Sequence, residues 1–293
     1  MPGLETTTVI RSAFAKPFLR WAGGKRQIIR YLLQYVPNEF EQYWEPFLGA
    51  GAMFFALAPK RAHLSDSNSD LISCYKYVRD CPELVYHYLQ NHLLKTSKEY
   101  YYRIRGVYNR SSHSVAQAAR FIYLNKTSFN GIFRVNQQGE FNVPYGYKEP
   151  PALPSLEDLR AASNILKFAK LSDGSFNDAI IDDIVKPNDF IYFDPPYPPL
   201  NETAYFRHYT ATRFSLEDHE KVSAIAYRLK EQGCHVMISN ADIQFVRELY
   251  KEWCLYTLPV IRWIAANGTR QTVAELVITS YPVNNTVHEK GIS

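Results

Sequence analysis

The run Phe190-Ile-Tyr-Phe-Asp-Pro-Pro-Tyr-Pro-Pro-Leu200 passes from an apolar segment into an acid, an aromatic ring and four prolines. Asp194 ends what reads as a buried strand, and a surface ion pair is the ordinary fate of such a residue. The prolines at 195, 196, 198 and 199 argue against that fate. Proline fixes φ and has no N–H, so it presents carbonyl acceptors in a rigid geometry without a competing donor. Asp194 and an adjoining proline carbonyl make two acceptors and no donor, and Tyr197 adds a flat face. Such a clamp suits an exocyclic amino group with two hydrogens, as on adenine N6 or cytosine N4. The lone pair of that nitrogen is delocalised into its ring. Accepting both hydrogens favours a pyramidal nitrogen, an electrostatic help that grows as charge develops.

Two further features bear on what that nitrogen would meet. Glu45-Pro-Phe-Leu-Gly-Ala-Gly51 reads as a strand-to-helix turn in which Gly49 and Gly51 let backbone approach a ligand. Phe54 stands where a dinucleotide fingerprint has its third glycine, and no Gly-Lys-Ser/Thr follows, so pyrophosphate and triphosphate are both poorly served. Asp66 closes the next strand, where an acid either accepts from ribose hydroxyls or caps the following helix. A glycine turn and a ribose-binding acid without phosphate machinery point to a nucleoside lacking phosphates, such as S-adenosylmethionine.

These side chains need a scaffold, and the chain supplies strands alternating with helices. Strands are expected at 42–45, 61–64, 169–171, 190–193 and 235–239, and helices at 53–58, 70–78, 216–232 and 243–253. Two last strands, 255–264 and 273–281, flank an Asn267-Gly268 turn. Such alternation predicts an α/β, Rossmann-like doubly wound sheet, mostly parallel and made mixed by the terminal hairpin. The sequence divides into a catalytic domain at 17–76 and 161–283, a mainly helical insertion at 77–160, and loose ends at 1–16 and 284–293. Within the insertion a loop or hairpin is expected around Gly131 to Gly139.

The 293 residues are 46% hydrophobic, enough for a large core. No apolar run approaches a membrane span and the N-terminus has no secretory h-region, so a soluble cytoplasmic protein is expected. The 4 cysteines form no C-x-x-C pair or Cys/His cluster, which disfavours a disulfide framework and a zinc site, and no metal is expected. The formal net charge is only +4, but residues 76–150 carry 11 Lys/Arg against 5 Asp/Glu. That imbalance fits a polyanion-binding insertion as well as it fits a solvated helical face. Aromatics interleave with Arg, Lys and Asn there, and most of the tyrosines read as the core of the insertion.

Taken in order, Phe18-Leu-Arg-Trp-Ala-Gly-Gly-Lys25, Glu45 to Gly51, Asp66, Tyr123-Leu-Asn-Lys-Thr-Ser-Phe-Asn-Gly131, Phe141-Asn-Val-Pro-Tyr-Gly146, Asp194-Pro-Pro-Tyr197 and Ile238-Ser-Asn240 resemble the Dam-type DNA adenine methyltransferases over residues 17 to 282. The resemblance implies the seven-stranded class I methyltransferase fold, with S-adenosylmethionine as cofactor. It also implies methyl transfer to adenine N6 in double-stranded DNA, within GATC, after the base is flipped out of the stack. By position, Asp194, Pro195, Pro196 and Tyr197 match the catalytic motif. Trp21, Ala22, Gly23, Lys25, Phe47, Gly49, Gly51, Asp66 and Phe176, together with Asp194, match cofactor-binding positions. Arg20, Phe129, Asn130, Ile132, Arg134 and Pro144 fall where relatives read or enter the duplex. Arg20 replaces the Lys of some relatives, and Phe129 a frequent Tyr. Either a solitary enzyme or the partner of a cognate restriction endonuclease is compatible with the resemblance, as a monomer or weak dimer. An enzyme of the same chemistry acting on RNA or single strands, and a non-catalytic DNA-binding protein, are the other readings. Pro198 and Pro199 are expected to steer residues 201–209, and Asn267 to Arg270 offers either a phosphate contact or a plain turn.

Overall fold

The computed structural model describes residues 7–8, 15–147, 151–180, 184–198, 214–266 and 269–283, the side chains of 7–8 and 259–273 excepted. Among the described residues nine strands occur in chain order: β1 (Thr7–Thr8), β2 (Glu39–Phe40), β3 (Tyr43–Glu45), β4 (Ala62–Asp66), β5 (Ala169–Asp173), β6 (Phe190–Phe193), β7 (His235–Ala241), β8 (Cys254–Ala266) and β9 (Thr269–Thr279). β1 and β2 form a small antiparallel pair. The other seven form one mixed sheet in the order β5-β4-β3-β6-β7-β9-β8, the α/β architecture expected of a class I methyltransferase fold. β3–β6, β6–β7 and β4–β5 are parallel, whereas β9 pairs antiparallel with β7 and β8. From β3 the chain runs out to β4 and β5, then returns to β6 on the other flank of β3. The carboxyl ends of β3 and β6 therefore meet at a topological switch point, the usual ligand crevice of such sheets.

The chain forms two compact units. The first comprises residues 1–8, 28–47 and 176–293. Its central strand β6 is buried at every position, as a strand covered on both faces must be. The helix Leu216–Glu231 starts at a capping box in which Ser215 and Asp218 satisfy each other's backbone N–H groups. Val222, Ala226 and Leu229 of that helix pack with Trp44, Ile191, Phe193, Ile238, Leu276 and Ile278 from the sheet. The expected helix at 243–253 is shorter, Gln244–Leu249. Tyr250 and Trp253 are both core residues, and a turn closed by the Trp253 N–H on the Tyr250 carbonyl at 2.9 Å brings the two rings inward.

The second unit comprises residues 9–27 and 48–175. It holds β4, β5 and helices Ala52–Leu57, Ser69–Asp80, Pro82–Leu93, Lys98–Tyr108, Val115–Thr127 and Leu156–Leu166. Most of its tyrosines are core, as Tyr75, Tyr101 and Tyr123 are at 0% exposure. After Thr127 the chain makes a short 3-10 turn, Phe129–Gly131, followed by a hairpin bridged at Val135–Phe141 and Ser128–Tyr145. Among the described residues no helix is long and apolar enough to cross a membrane.

Candidate active site

In the first unit, Asp194 leaves the end of β6 half-buried, and its Oδ1 accepts from the Ser239 hydroxyl on β7 at 2.9 Å. Ser239 Oγ also lies 2.7 Å from the Tyr192 hydroxyl. A carboxylate cannot donate, so the one Ser239 hydrogen goes to Asp194 and Tyr192 must donate to Ser239. Burial, with the Asp194 charge next in weight, pushes the Tyr192 phenol well above its ordinary range, so it stays a donor. The tetrapeptide is also held from other sides. The Tyr197 hydroxyl donates to Glu275 Oε1 on β9, and the Pro196 carbonyl accepts from the His219 ring. Burial nevertheless lowers the His219 pKa to about 4, so the ring is neutral at pH 7. Pro198 is buried, whereas Pro199 and residues 201–209 lie outside the described residues. So do Asn267, Gly268 and the Arg270 side chain.

After β3, Phe47 stacks on Phe176 with centroids 5.4 Å apart, and Phe214 packs edge-on to Phe47 at 5.5 Å. These three partly exposed rings form an aromatic wall following the carboxyl end of β3. Glu45, fully buried, accepts from the Tyr43 hydroxyl at 2.8 Å.

In the second unit, Gly49 and Gly51 adopt φ of +48° and +66°, the left-handed region that glycine enters without a Cβ penalty. The Gly49 N–H donates to Asp66 Oδ2 at 2.9 Å, and the Asn68 N–H to Oδ1 at 3.0 Å. Asp66 is not the helix cap, because Asn68 is: its Oδ1 accepts from the Leu71 N–H at 2.9 Å. Burial raises the Asp66 pKa, against the two backbone N–H groups that lower it. Trp21 lies against the turn so closely that a Cβ on Gly49 would stand 2.7 Å from Trp21 Cδ1. The indole also stacks on Phe133 at 5.6 Å. Ala22 and Gly23 are exposed beside it, and buried Lys25 donates from Nζ to the Gly23 carbonyl at 3.3 Å. Trp21, Gly49 and Asp66 thus come together.

Arg20 joins a second group in this unit. Its N–H donates to Asn125 Oδ1 at 2.8 Å, and its carbonyl accepts from Asn125 Nδ2 at 2.7 Å. Asn125 Nδ2 also reaches the Gly131 carbonyl at 3.4 Å. One buried amide therefore holds the Arg20 backbone beside the turn that presents Phe129 and Asn130. The Phe129 N–H donates to the Pro144 carbonyl at 2.9 Å, and Arg134 Nε to Asn142 Oδ1 at 2.8 Å. Phe129, Asn130, Ile132, Arg134 and Pro144 are all exposed, Phe129 by 53%. An exposed phenylalanine and isoleucine on one polar hairpin is an arrangement that core packing does not explain.

Sequence reasoning did not single out Asn125, Ser239, His219 or Glu275. Asn125 and Ser239 lie inside segments that carry the resemblance. The signal at Glu275 was available too: it is the one acid in the apolar strand Val273-Ala-Glu-Leu-Val-Ile-Thr279. Among the described residues no group of three or more His, Cys, Asp or Glu could hold a metal ion.

The family model described as D12 class N6 adenine-specific DNA methyltransferase matches residues 21–266. Over 274 residues the chain is 37% identical to the type II methyltransferase M1.LlaDCHI of Lactococcus lactis subsp. cremoris, covering 91% of this chain and 95% of that protein. Identity is 36% over 288 residues with the type II methyltransferase M.MjaIII of Methanocaldococcus jannaschii, covering 91% and 99%. With the DNA adenine methylase of Escherichia coli strain K12 it is 36% over 274 residues, covering 91% and 96%. The family model matches most of the chain and these relatives are covered almost completely, and the chain belongs to the D12 class of N6 adenine-specific DNA methyltransferases.

Proposed function

We propose that the protein is a site-specific enzyme transferring a methyl group from S-adenosylmethionine to adenine N6 in double-stranded DNA, within GATC. The observation that carries the chemistry is Asp194. It follows β6 at the switch point, with one carboxylate oxygen fixed by Ser239 and the following Pro-Pro-Tyr held by His219 and Glu275.

The residues present fit the cofactor. Its adenosine has a flat base, two ribose hydroxyls and no phosphate. Phe47 and Phe176 offer aromatic faces for the base, Asp66 an acceptor for the ribose, and the Gly49 turn a backbone approach without a phosphate cradle. Trp21, Ala22, Gly23 and Lys25 supply the remaining contacts from the N-terminal motif. When bound, the sulfonium supplies an activated methyl group and its own leaving group. The protein's task is then alignment and charge stabilisation. Asp194 accepts one N6 hydrogen. Because the Pro196 carbonyl is turned to His219, the second acceptor is assigned to the Pro195 carbonyl, and Pro196 stiffens the pair. The Tyr197 ring stacks on the flipped base.

Residues 77–160 act as the target-recognition insertion, and its excess of basic residues favours a nucleic-acid polyanion. Arg20 and Arg134 read base edges, Arg20 by the bidentate geometry that guanidinium makes with guanine O6 and N7. Phe129, Asn130, Ile132 and Pro144 enter or line the duplex. The enzyme acts in the cytoplasm on chromosomal or phage DNA, as a monomer or weak dimer, beside a cognate restriction endonuclease where one exists.

Methyl incorporation into duplex DNA, single-stranded DNA and RNA tests the substrate, and digestion of the product by endonucleases sensitive to adenine methylation in GATC tests the site. Preferred duplex methylation that blocks cleavage at GATC is expected. Preference for RNA or single strands, or cleavage unaffected by treatment, overturns the corresponding part. Asp194→Ala is expected to abolish transfer while still binding duplex.

A further inference from the structure

The registers of the central strands fix which side chains share a face of the sheet. Tyr43 pairs with Phe190, Tyr192 with Met237, and Ala241 with Glu275. Side chains alternate along each strand and directly paired residues share a side. Tyr43, Glu45, Tyr192, Ser239 and Glu275 therefore lie on one face. The opposite face, through Trp44, Ile191, Phe193, Ile238, Leu276 and Ile278, belongs to the apolar core. All five polar residues are at most 2% exposed, an arrangement that costs free energy unless each polar group is hydrogen-bonded.

Within this row Glu275 is placed to act on Asp194-Pro-Pro-Tyr197. Pro195 and Pro196 have no N–H, so that segment cannot be tied down there by donating ladder hydrogen bonds. Its two ends are tied by side chains instead, Asp194 to Ser239 and Tyr197 to Glu275. The Tyr197 side chain is half-buried, so its hydroxyl is held inward while the residue keeps an exposed part. A phenol bound to a carboxylate in a buried setting makes a charge-assisted, strongly directional bond.

We infer that Glu275 is a positioning residue for methyl transfer, fixing the plane of the Tyr197 ring through its hydroxyl so that the flipped base is stacked in register with Asp194. The inference rests on reading Asp194 to Tyr197 as the reacting motif. The Tyr197 hydroxyl is then an anchor to the sheet and takes no part in proton transfer.

A double-mutant cycle on the full chain tests it, with Tyr197→Phe, Glu275→Leu and both together. Each single change removes the same bond, so kcat is expected to fall about 10- to 100-fold in each, the range for a hydrogen bond to a charged group. The double variant is expected to fall no further, and KM for DNA to stay near the wild-type value. Glu275→Gln, which retains an acceptor oxygen and similar volume, is expected to recover most of the kcat lost in Glu275→Leu. Multiplying losses in the double variant, wild-type kcat in Glu275→Leu, or a loss expressed in KM alone would each overturn the inference. The cycle is read on whichever of duplex DNA, single-stranded DNA or RNA the wild type methylates best. A wrong substrate class then shows as wild-type inactivity on duplex, separately from the comparison among variants.

Discussion

Replacing Gly131 with alanine perturbs the recognition hairpin in two separable ways. Gly131 has φ of +65°, and an L-residue held in that left-handed region costs roughly 1–2 kcal/mol. The added Cβ would also stand 2.5 Å from Arg20 Cδ and 3.0 Å from Arg20 Cβ. Arg20 cannot retreat as a unit, because Asn125 grips its N–H at 2.8 Å and its carbonyl at 2.7 Å. The side chain must swing instead, carrying the guanidinium off its present line. Gly139 is the control: its φ is +78° and nothing lies within 4 Å of an added Cβ. Both alanine variants should therefore lose about 1–2 kcal/mol of unfolding free energy in urea. Only Gly131→Ala should also lose site preference, by up to about 1–3 kcal/mol at one base pair if Arg20 contacts a guanine bidentately. The assay is kcat/KM on duplexes in which each base pair of GATC is replaced in turn. Unchanged preference in Gly131→Ala, or an equal change in Gly139→Ala, would refute the placement of Arg20.

Three other outcomes are expected. Gly49→Ala places a Cβ 2.7 Å from Trp21 Cδ1 at φ of +48°, so calorimetry should show S-adenosylmethionine binding weakened at least about tenfold, equivalent to about 1.4 kcal/mol; wild-type affinity would separate this turn from the cofactor. Arg134→Ala should relax preference at one base pair by about 1–3 kcal/mol, and an unaltered pattern across all substituted duplexes would remove Arg134 from the reading set. Burial holds His92 and His219 down at about 4 from their ordinary 6.5. In that window the unfolded chain takes up protons that the fold refuses, so stability falls as pH falls, by about 1.2 kcal/mol per histidine between pH 7 and 5.5. Asp66 and Asp189, whose pKa values burial raises from 3.8, oppose this only towards the acid end. Urea unfolding of His219→Asn should show a shallower pH slope than wild type.

The strands and helices of the doubly wound frame were legible because each is announced locally. Phe190 to Phe193 is an unbroken apolar run, and the stretch from Leu216 onward keeps an apolar face at helical spacing. The helix after β7 was overestimated, since Tyr250 and Trp253 continue its apolar pattern but reach the core from a turn. Tertiary packing decided there, and periodicity could not distinguish the two. Asp66 was ambiguous between ribose acceptor and helix cap for a similar reason. Asn68, two residues later, competes for the cap, and its β-region φ of −88° and ψ of 100° let it win.

The groups that support the candidate site were harder to read, for a reason that lies in chain separation. Arg20 and Asn125 are 105 residues apart, Tyr197 and Glu275 are 78 apart, and Asp194 and Ser239 are 45 apart. Sequence periodicity says which face a side chain takes, but only register says which neighbour it meets on that face. β9 makes the point. The last strand lies between β7 and β8, and that insertion is what brings Glu275 opposite Ala241 and within reach of Tyr197. A single acid in an otherwise apolar strand is therefore a question that the strand cannot answer alone. Its answer lies in whichever hydroxyl the pairing delivers, which here belongs to the tyrosine of the candidate catalytic motif.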